Sequence, residues 1–138
     1  DNDPAAARDG DYSFKMPQKI PSYLLAIAAG DLVFKQIGER LGGFDVALME
    51  NGAYDDYWPA VHMTPEETVQ AFKDLRGKLL YLVHNSTFDL AFHTWRDPLD
   101  RAAALAEKEG IPLATPEIGE VLTLGQPRNN VLWWKSLR

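Results

Sequence analysis

Hydrophobic residues along the chain fall into short continuous runs, separated by polar segments with helical periodicity. Apolar runs of this kind, bounded by Gly, Pro or Asn, are typical of buried strands. Five runs predict strands, at residues 22–34, 44–50, 78–84, 111–115 and 120–124. Residues 34–42 ("FKQIGERLG") predict a short helix or turn, and the terminal "NNVLWWKSLR" predicts a segment whose tryptophans seal the core.

Residues 64–77 ("TPEETVQAFKDLRG") carry the start and stop signals of a helix. Thr64 can cap the helix N-terminus, and Glu67 three residues later completes a capping box. Pro65 suits the first helical turn, and Gly77 suits a left-handed residue after the last turn. We therefore predict a helix that begins after Thr64 and stops at Gly77.

Residues 97–110 ("DPLDRAAALAEKEG") repeat this pattern, with Asp97 as the predicted cap, Pro98 in the first turn and Gly110 at the end. The order of strands and helices predicts a layered α/β domain. Because crossovers between parallel strands are right-handed, both helices are expected on one face of the sheet. The other face then needs cover.

Composition limits the classes of function. A chain of 138 residues with 46% hydrophobic residues fits one globular domain. Its net charge of -6 disfavours a nucleic-acid or anionic-membrane surface, and no apolar run is long enough to span a bilayer. Because cysteine is absent, any metal must be held by His, Asp, Glu or water. We expect frayed residues at positions 1–11 and a cytoplasmic location.

Candidate chemistry centres on the histidines, because HExxH, GxSxG, Walker and GxGxxG motifs are all absent. His84 ends a predicted strand, where α/β sheets usually carry ligands, and Ser86 follows it. A metal-free site would use His84 or His93 as a general base for Ser86. His62 lies in the loop before the first capped helix. For each histidine the alternative is a structural role in which the ring only hydrogen-bonds its own loop.

Residues 34–138 resemble the carboxyl-terminal half of metallo-β-lactamase-fold hydrolases, in the branch of N-acyl-phosphatidylethanolamine phospholipase D and ascorbate-phosphate lactonase. The similar runs are "FKQIGERLGGFDVALMENGAYDDYW", "VHMTPEETVQAFKDL", "VHNSTFDLAFHTWRDPLDR" and "IPLATPEIGEVLTL". The resemblance implies half of an αββα sandwich, with one mixed β-sheet and helices on one face. It also implies hydrolysis that depends on a divalent metal.

The same resemblance implies roles for individual residues. His84 and Phe88 match a His-x-x-x-Phe motif whose histidine is the last metal ligand of the family. Asp31 mimics the family's metal-bridging aspartate, although its spacing to Phe34 is several residues shorter. The family's main ligands, in a His-x-His-x-Asp-His motif, belong to an amino-terminal half that this sequence does not contain.

Residues 1–33 resemble a different family, the amino-terminal β domain of zinc aminopeptidases related to the leukotriene hydrolases. The phrase "FKMPQKIPSYLLAIAAGDL" carries this resemblance. The segment is structural in that family, and the zinc motif HExxH is absent, so no peptidase activity is implied. The chain is therefore interpreted as a chimera of two segments, 1–33 and 34–138, that together form one compact domain.

Half of a sandwich exposes an apolar sheet face, which predicts a homodimer in which a partner covers that face. In a two-fold dimer His84 and Asp31 occur twice, which supplies four ligands for a zinc-like ion. His62 is a further candidate ligand, and His84, Ser86 and His93 are the candidate catalytic residues. The predicted function is metal-dependent hydrolysis of an ester, lactone or phosphodiester in a small molecule. The alternative is a non-catalytic oligomeric scaffold.

Overall fold

The computed structural model of the chain describes residues 31–126 and 130–137. Three helices alternate with three short strands, and a 3-10 helix lies near the carboxyl terminus. In chain order the elements are α1 (Asp31–Leu41), β1 (Ala47–Glu50), α2 (Pro65–Asp74), β2 (Leu80–Val83), α3 (Asp97–Glu109), β3 (Leu113–Ala114) and the 3-10 helix Trp133–Ser136. The fold is an α/β layer, as predicted, and is consistent with part of a β-lactamase-fold domain.

The three strands form one parallel sheet in the order β1-β2-β3. Ala47 pairs with Leu80 and Glu50 with Val83, while Leu80 also pairs with Leu113 on the other side. Every strand pair in the described part of the chain is parallel, so the prediction of a mixed sheet is wrong there. Parallel strands place their carboxyl ends at one edge, which brings the segments after β1 and β2 together.

The hydrophobic core lies between the helices and one face of the sheet. Helix α2 packs against both α1 and α3, which confirms that the capped helices share a face. Leu80 at the centre of the sheet is fully buried, and Trp134 is buried against the same core. The Trp134 indole N–H donates to Asp100 at 2.8 Å, which fixes the carboxyl-terminal segment on α3. The sealing role predicted for the terminal tryptophans is confirmed for Trp134.

Helix α2 begins as its sequence predicts and ends differently. The Thr64 hydroxyl accepts from the Glu67 N–H, and the Glu67 carboxylate accepts from the Thr64 N–H at 2.8 Å, so the capping box is confirmed. The predicted left-handed residue Gly77 is wrong, because Arg76 takes that conformation with φ 56°. Gly77 is required for another reason, since a Cβ there would lie 2.4 Å from the ring of Phe72.

Helix α3 shows the opposite outcome. Gly110 ends the helix with φ 66°, as predicted. The predicted cap Asp97 is wrong, because the N-cap is Arg96 and it makes no side-chain capping bond. The Asp97 carboxylate instead accepts hydrogen bonds from the Tyr54 hydroxyl and from Arg101.

Two of the predicted strands differ from the structure. Residues 120–124 lie outside any strand, so that prediction is wrong. For the predicted strand at 22–34, residues 22–30 lie outside the described residues, whereas 31–34 form the first turn of α1. The aminopeptidase-like segment 1–33 therefore stays a prediction, as does the division into two segments.

The second face of the sheet carries apolar side chains that the described residues cover only in part. Leu48 on this face is 65% exposed, and its sheet neighbour Tyr81 is half-buried. Across the described ranges, every helix is too short and too polar to cross a membrane. The cytoplasmic location stays a prediction.

Candidate functional site

The candidate site lies where β1 and β2 end at the same edge of the sheet. The Asn51 N–H donates to the Val83 carbonyl at 2.9 Å, so the two chains stay paired beyond the last residue of β1. A Cβ at Gly52 would lie 2.3 Å from the His84 carbonyl oxygen, and only glycine permits that approach. This close pairing brings the loops that follow β1 and β2 together at the same edge of the sheet. We call residues 51–63 and 84–95 the strand-end loops.

A cleft of about 690 Å³ opens between these loops. Residues 84–95 line it together with Gly52, Ala53 and Pro98, so His84, Ser86 and His93 all face the same space. Three residues on its wall have left-handed backbone despite having a Cβ: Ala53 with φ 60°, His84 with φ 62° and Ser86 with φ 62°. Each such conformation costs about 1 to 3 kcal/mol, a cost that is often found at functional sites.

His84 follows the last residue of β2, and its side chain is exposed at the mouth of the cleft. Its ring stacks on the ring of His62, with centroids 5.0 Å apart and an interplanar angle of 26°. Of the predicted site residues, the structure thus brings His84 and His62 into direct contact. The backbone of Asp31 begins α1, but its side chain lies outside the described residues.

His62 is held by the last residue of β1. Its Nδ1 lies 3.1 Å from Oε2 of Glu50, and Oε1 of the same carboxylate accepts from the Met63 N–H at 2.8 Å. Both His62 and Glu50 are half-buried. Glu50 is a residue that the sequence analysis missed, although the strand-end rule applied to His84 also applies to the end of β1.

His93 lies in a different environment in the same cleft. Its Nε2 accepts from the Ala53 N–H at 3.0 Å, and its Nδ1 lies 3.0 Å from the carbonyl of Thr94. The ring also stacks on Tyr54 at 4.4 Å. Both ring nitrogens thus have backbone partners, which match a neutral ring protonated on Nδ1. The Ser86 hydroxyl, the third predicted catalytic group, donates to the Asn85 side chain at 3.1 Å.

A polar cluster around the buried Tyr54 anchors the first strand-end loop to the helices. The Tyr54 hydroxyl donates to Asp97, and Arg101 contacts both Asp97 and Glu66. Burial raises the pKa of Tyr54 well above its usual range, and the hydrogen bond to Asp97 raises it further. The hydroxyl therefore stays protonated at neutral pH and serves as a donor. The link between Tyr54 and α3 was not predicted from the sequence.

The fit of these residues to a metal ion is incomplete. Within residues 31–126 and 130–137, no three His, Asp or Glu side chains converge on one point. The stacked rings of His62 and His84 in particular do not share an ion, because the lone pairs of an imidazole lie in its ring plane. Two nearly parallel planes 5.0 Å apart cannot both direct nitrogens to one ion at about 2.0 Å. The described residues alone therefore do not form a metal centre.

Comparisons with known proteins bear on the same stretch of chain. Residues 26–85 match the sequence model of the "Beta-lactamase superfamily domain". The superfamily match ends one residue after His84, so it covers β1, α2 and β2 and includes Glu50 and His62. It supports the predicted resemblance in its coarser form, a hydrolase with the metallo-β-lactamase fold.

Individual relatives agree with this superfamily match. The chain is 40% identical over 105 residues to an uncharacterized protein of Mycobacterium tuberculosis, covering 74% of this chain and 28% of that protein. It is 49% identical over 51 residues to the outer membrane protein RomA of Klebsiella pneumoniae, which is 37% of this chain and 39% of RomA. It is 30% identical over 98 residues to the N-acyl-phosphatidylethanolamine-hydrolyzing phospholipase D 1 of Caenorhabditis elegans, 66% of this chain and 28% of that enzyme.

The chain thus spans between a quarter and two fifths of the length of these relatives. The activity of a whole relative cannot be transferred to it directly.

Proposed function

We propose that this chain contributes to a hydrolase that acts on an ester, lactone or phosphodiester bond of a small molecule. The observation that carries the proposal is the placement of His84, exposed on a left-handed backbone at the end of the central strand and beside a cleft of about 690 Å³. The superfamily match and the phospholipase D relative support the reaction class. Of the three bond types, the phosphodiester agrees best with the name of that relative, a phospholipase D.

The proposal includes a divalent metal, zinc by preference, toward which His84 is the ligand of this chain. Zinc would polarise the scissile bond and lower the pKa of a bound water. Because the described residues provide no convergent third donor, the remaining ligands come from outside them. Asp31 is the further candidate ligand. The sequence also made His62 a candidate, but its ring stacks on His84 in this structure, so the two rings of one copy do not share an ion. Ser86 and His93 are candidates for contact with the substrate, since both line the cleft.

A homodimer is the proposed source of the missing groups. Leu48 on the second sheet face is 65% exposed, and a second copy of the chain packed there would bury it. A two-fold axis near the strand ends would present two copies of His84 and of Asp31. Four donors of these types suit a tetrahedral zinc site.

Metal content and solution mass of the purified protein test this proposal together. We expect a dimer that retains zinc, manganese or iron, and chelator-sensitive hydrolysis of p-nitrophenyl acetate or bis-p-nitrophenyl phosphate. His84→Ala should lose the metal and the activity. Glu107→Ala, on the exposed side of α3, is the matched control and should keep both. A metal-bearing His84→Ala protein, or an inactive metal-free monomer in all three metals, would contradict the proposal.

A second candidate function is a non-catalytic oligomeric scaffold. The observation in its favour is the lack of a three-residue metal group among the described residues. A scaffold predicts an oligomer of defined mass that stays inactive with every metal. The same measurements therefore separate the two functions.

A further inference from the structure

The carboxylate of Glu50 ties two consecutive residues at the end of the first strand-end loop, His62 and Met63, to the end of β1. Its Oε2 lies 3.1 Å from Nδ1 of His62, and its Oε1 accepts the Met63 N–H at 2.8 Å. The backbone of Glu50 is fixed as well, because its carbonyl accepts from the Thr68 hydroxyl at 2.8 Å. Glu50 therefore has a defined position in the fold, and its side chain orients whatever it binds.

An ionised carboxylate can only accept hydrogen bonds, so it determines where the neutral imidazole carries its proton. Against Glu50, the His62 ring is protonated on Nδ1, and Nε2 is left with a free lone pair. Pairs of carboxylate and histidine use this arrangement to fix both the tautomer and the ring orientation. We propose that Glu50 is a positioning residue, which holds His62 with Nε2 available as an acceptor beside His84.

The ring contact extends this positioning to His84. The two imidazoles stack with their centroids 5.0 Å apart and an interplanar angle of 26°. Because the hydrogen bond to Glu50 holds the His62 ring in place, the stacking limits the rotation of the His84 ring. His84 sits on a left-handed backbone and is exposed, and the stack constrains its side chain. Glu50, His62 and His84 thus act as one ordered row across the ends of β1 and β2.

This inference rests on the proposed hydrolase for its chemical purpose, but its structural content is independent. For hydrolysis, Nε2 of His62 would accept a hydrogen bond from the attacking water or from a substrate hydroxyl. If Glu50 only fixed the loop, its loss would lower stability without changing the tautomer of His62. The two roles therefore predict different measurements.

Long-range proton–nitrogen NMR of the ¹⁵N-histidine-labelled protein tests the tautomer directly, at about pH 8.5 where a free imidazole is neutral. We expect His62 as the Nδ1–H form in the wild type, and a shift toward the Nε2–H form in Glu50→Ala. Glu50→Gln keeps an acceptor oxygen and a similar shape, so it distinguishes the loss of charge from the loss of fold. His93 is an internal control, because its nitrogens bond Ala53 and Thr94 and should not change.

A wild-type His62 in the Nε2–H form, or one that is unchanged in Glu50→Ala, would overturn the inference. If bis-p-nitrophenyl phosphate is hydrolysed, Glu50→Gln should lower kcat by about 10- to 100-fold, as is typical for partners of ordered histidines, at an unchanged Tm. A fall in Tm with unchanged kcat would instead assign Glu50 a structural role. Failure of the hydrolase proposal has a separate signature, an inactive wild type in which the His62 tautomer is as expected.

Discussion

The layer of helices and strands and the strand-end loops follow different physical rules. In the layer, large side chains such as Leu80 and Trp134 are fully buried. In the loops, Tyr57, Phe88 and Phe92 are 84%, 77% and 80% exposed. The layer keeps ordinary backbone conformations within its helices and strands, whereas the loops hold three non-glycine residues at positive φ.

This difference separates stability from chemistry in the molecule. Burial in the layer supplies the favourable free energy of folding, which is roughly proportional to the apolar area removed from water. The backbone strain in the loops opposes part of that favourable free energy, and it lies where His84, His62 and the cleft meet. Substitutions in the two regions should therefore change the free energy of unfolding by different amounts and, for some, in opposite directions.

The largest effect is expected for Leu80→Ala in the central strand. Removal of a fully buried leucine leaves a cavity, so the free energy of unfolding should fall by about 2 to 5 kcal/mol in urea denaturation. Phe88→Ala in the second loop is the matched truncation and should change it by less than about 0.5 kcal/mol. Equal losses for both variants would mean that the loop is part of the core.

A smaller effect is expected at the start of α2. Thr64→Ala removes the hydroxyl that accepts from the Glu67 N–H, and the unfolding free energy should fall by about 1 kcal/mol. Thr87→Ala serves as the control, since its hydroxyl lies in an exposed loop, caps no helix and donates only to the Asn85 carbonyl two residues away. A Thr87→Ala variant that is destabilised as strongly as Thr64→Ala would show that this loop depends on its side-chain bonds.

The contrast between the regions also explains what the sequence can predict. The capping box of α2 joins residues three apart, so local sequence is sufficient to find it. The predicted cap Asp97 failed because Tyr54, 43 residues away, attracts its carboxylate. The prediction of a left-handed Gly77 failed for a similar reason, since it is the nearby Phe72 ring, and not the turn, that leaves no room for a Cβ there.

The candidate site was predictable only in part. The strand-end rule and the family resemblance singled out His84, and the structure places it exposed beside the cleft, while its role as a metal ligand stays a prediction. The stack of His62 on His84 and the link to Glu50 depend on how the first loop folds back over the strand ends. No periodicity or spacing encodes such a contact. Positive φ at His84 and Ser86 was equally hidden, because neither residue type signals it.

The sign of a substitution offers a finer test of the strain in the loops. Ser86→Gly should raise the unfolding free energy by about 0.5 to 1 kcal/mol, because glycine adopts φ 62° without steric cost. Ala104→Gly on the exposed face of α3 should lower it by about 0.5 to 1 kcal/mol. Urea denaturation of both variants measures the pair. A destabilised Ser86→Gly protein would mean that the loop conformation carries no strain at this position.

The smallest effect is a change in the pH dependence of stability above pH 10, and it concerns the polar cluster that links the two regions. Burial and the bond to Asp97 raise the pKa of Tyr54 above its ordinary value of 10.0. In the unfolded chain Tyr54 ionises near that value, while in the folded chain it stays protonated. Its contribution to stability is therefore complete below about pH 10 and declines as the pH rises toward the folded-state pKa.

The unfolding free energy, measured from pH 7 to pH 11, should fall less steeply above pH 10 in Tyr54→Phe than in the wild type. Because Tyr57 is 84% exposed and belongs to the same loop, Tyr57→Phe should leave the wild-type slope unchanged. If both variants have the wild-type slope, the hydroxyl of Tyr54 is not the group that ties the loop to α3.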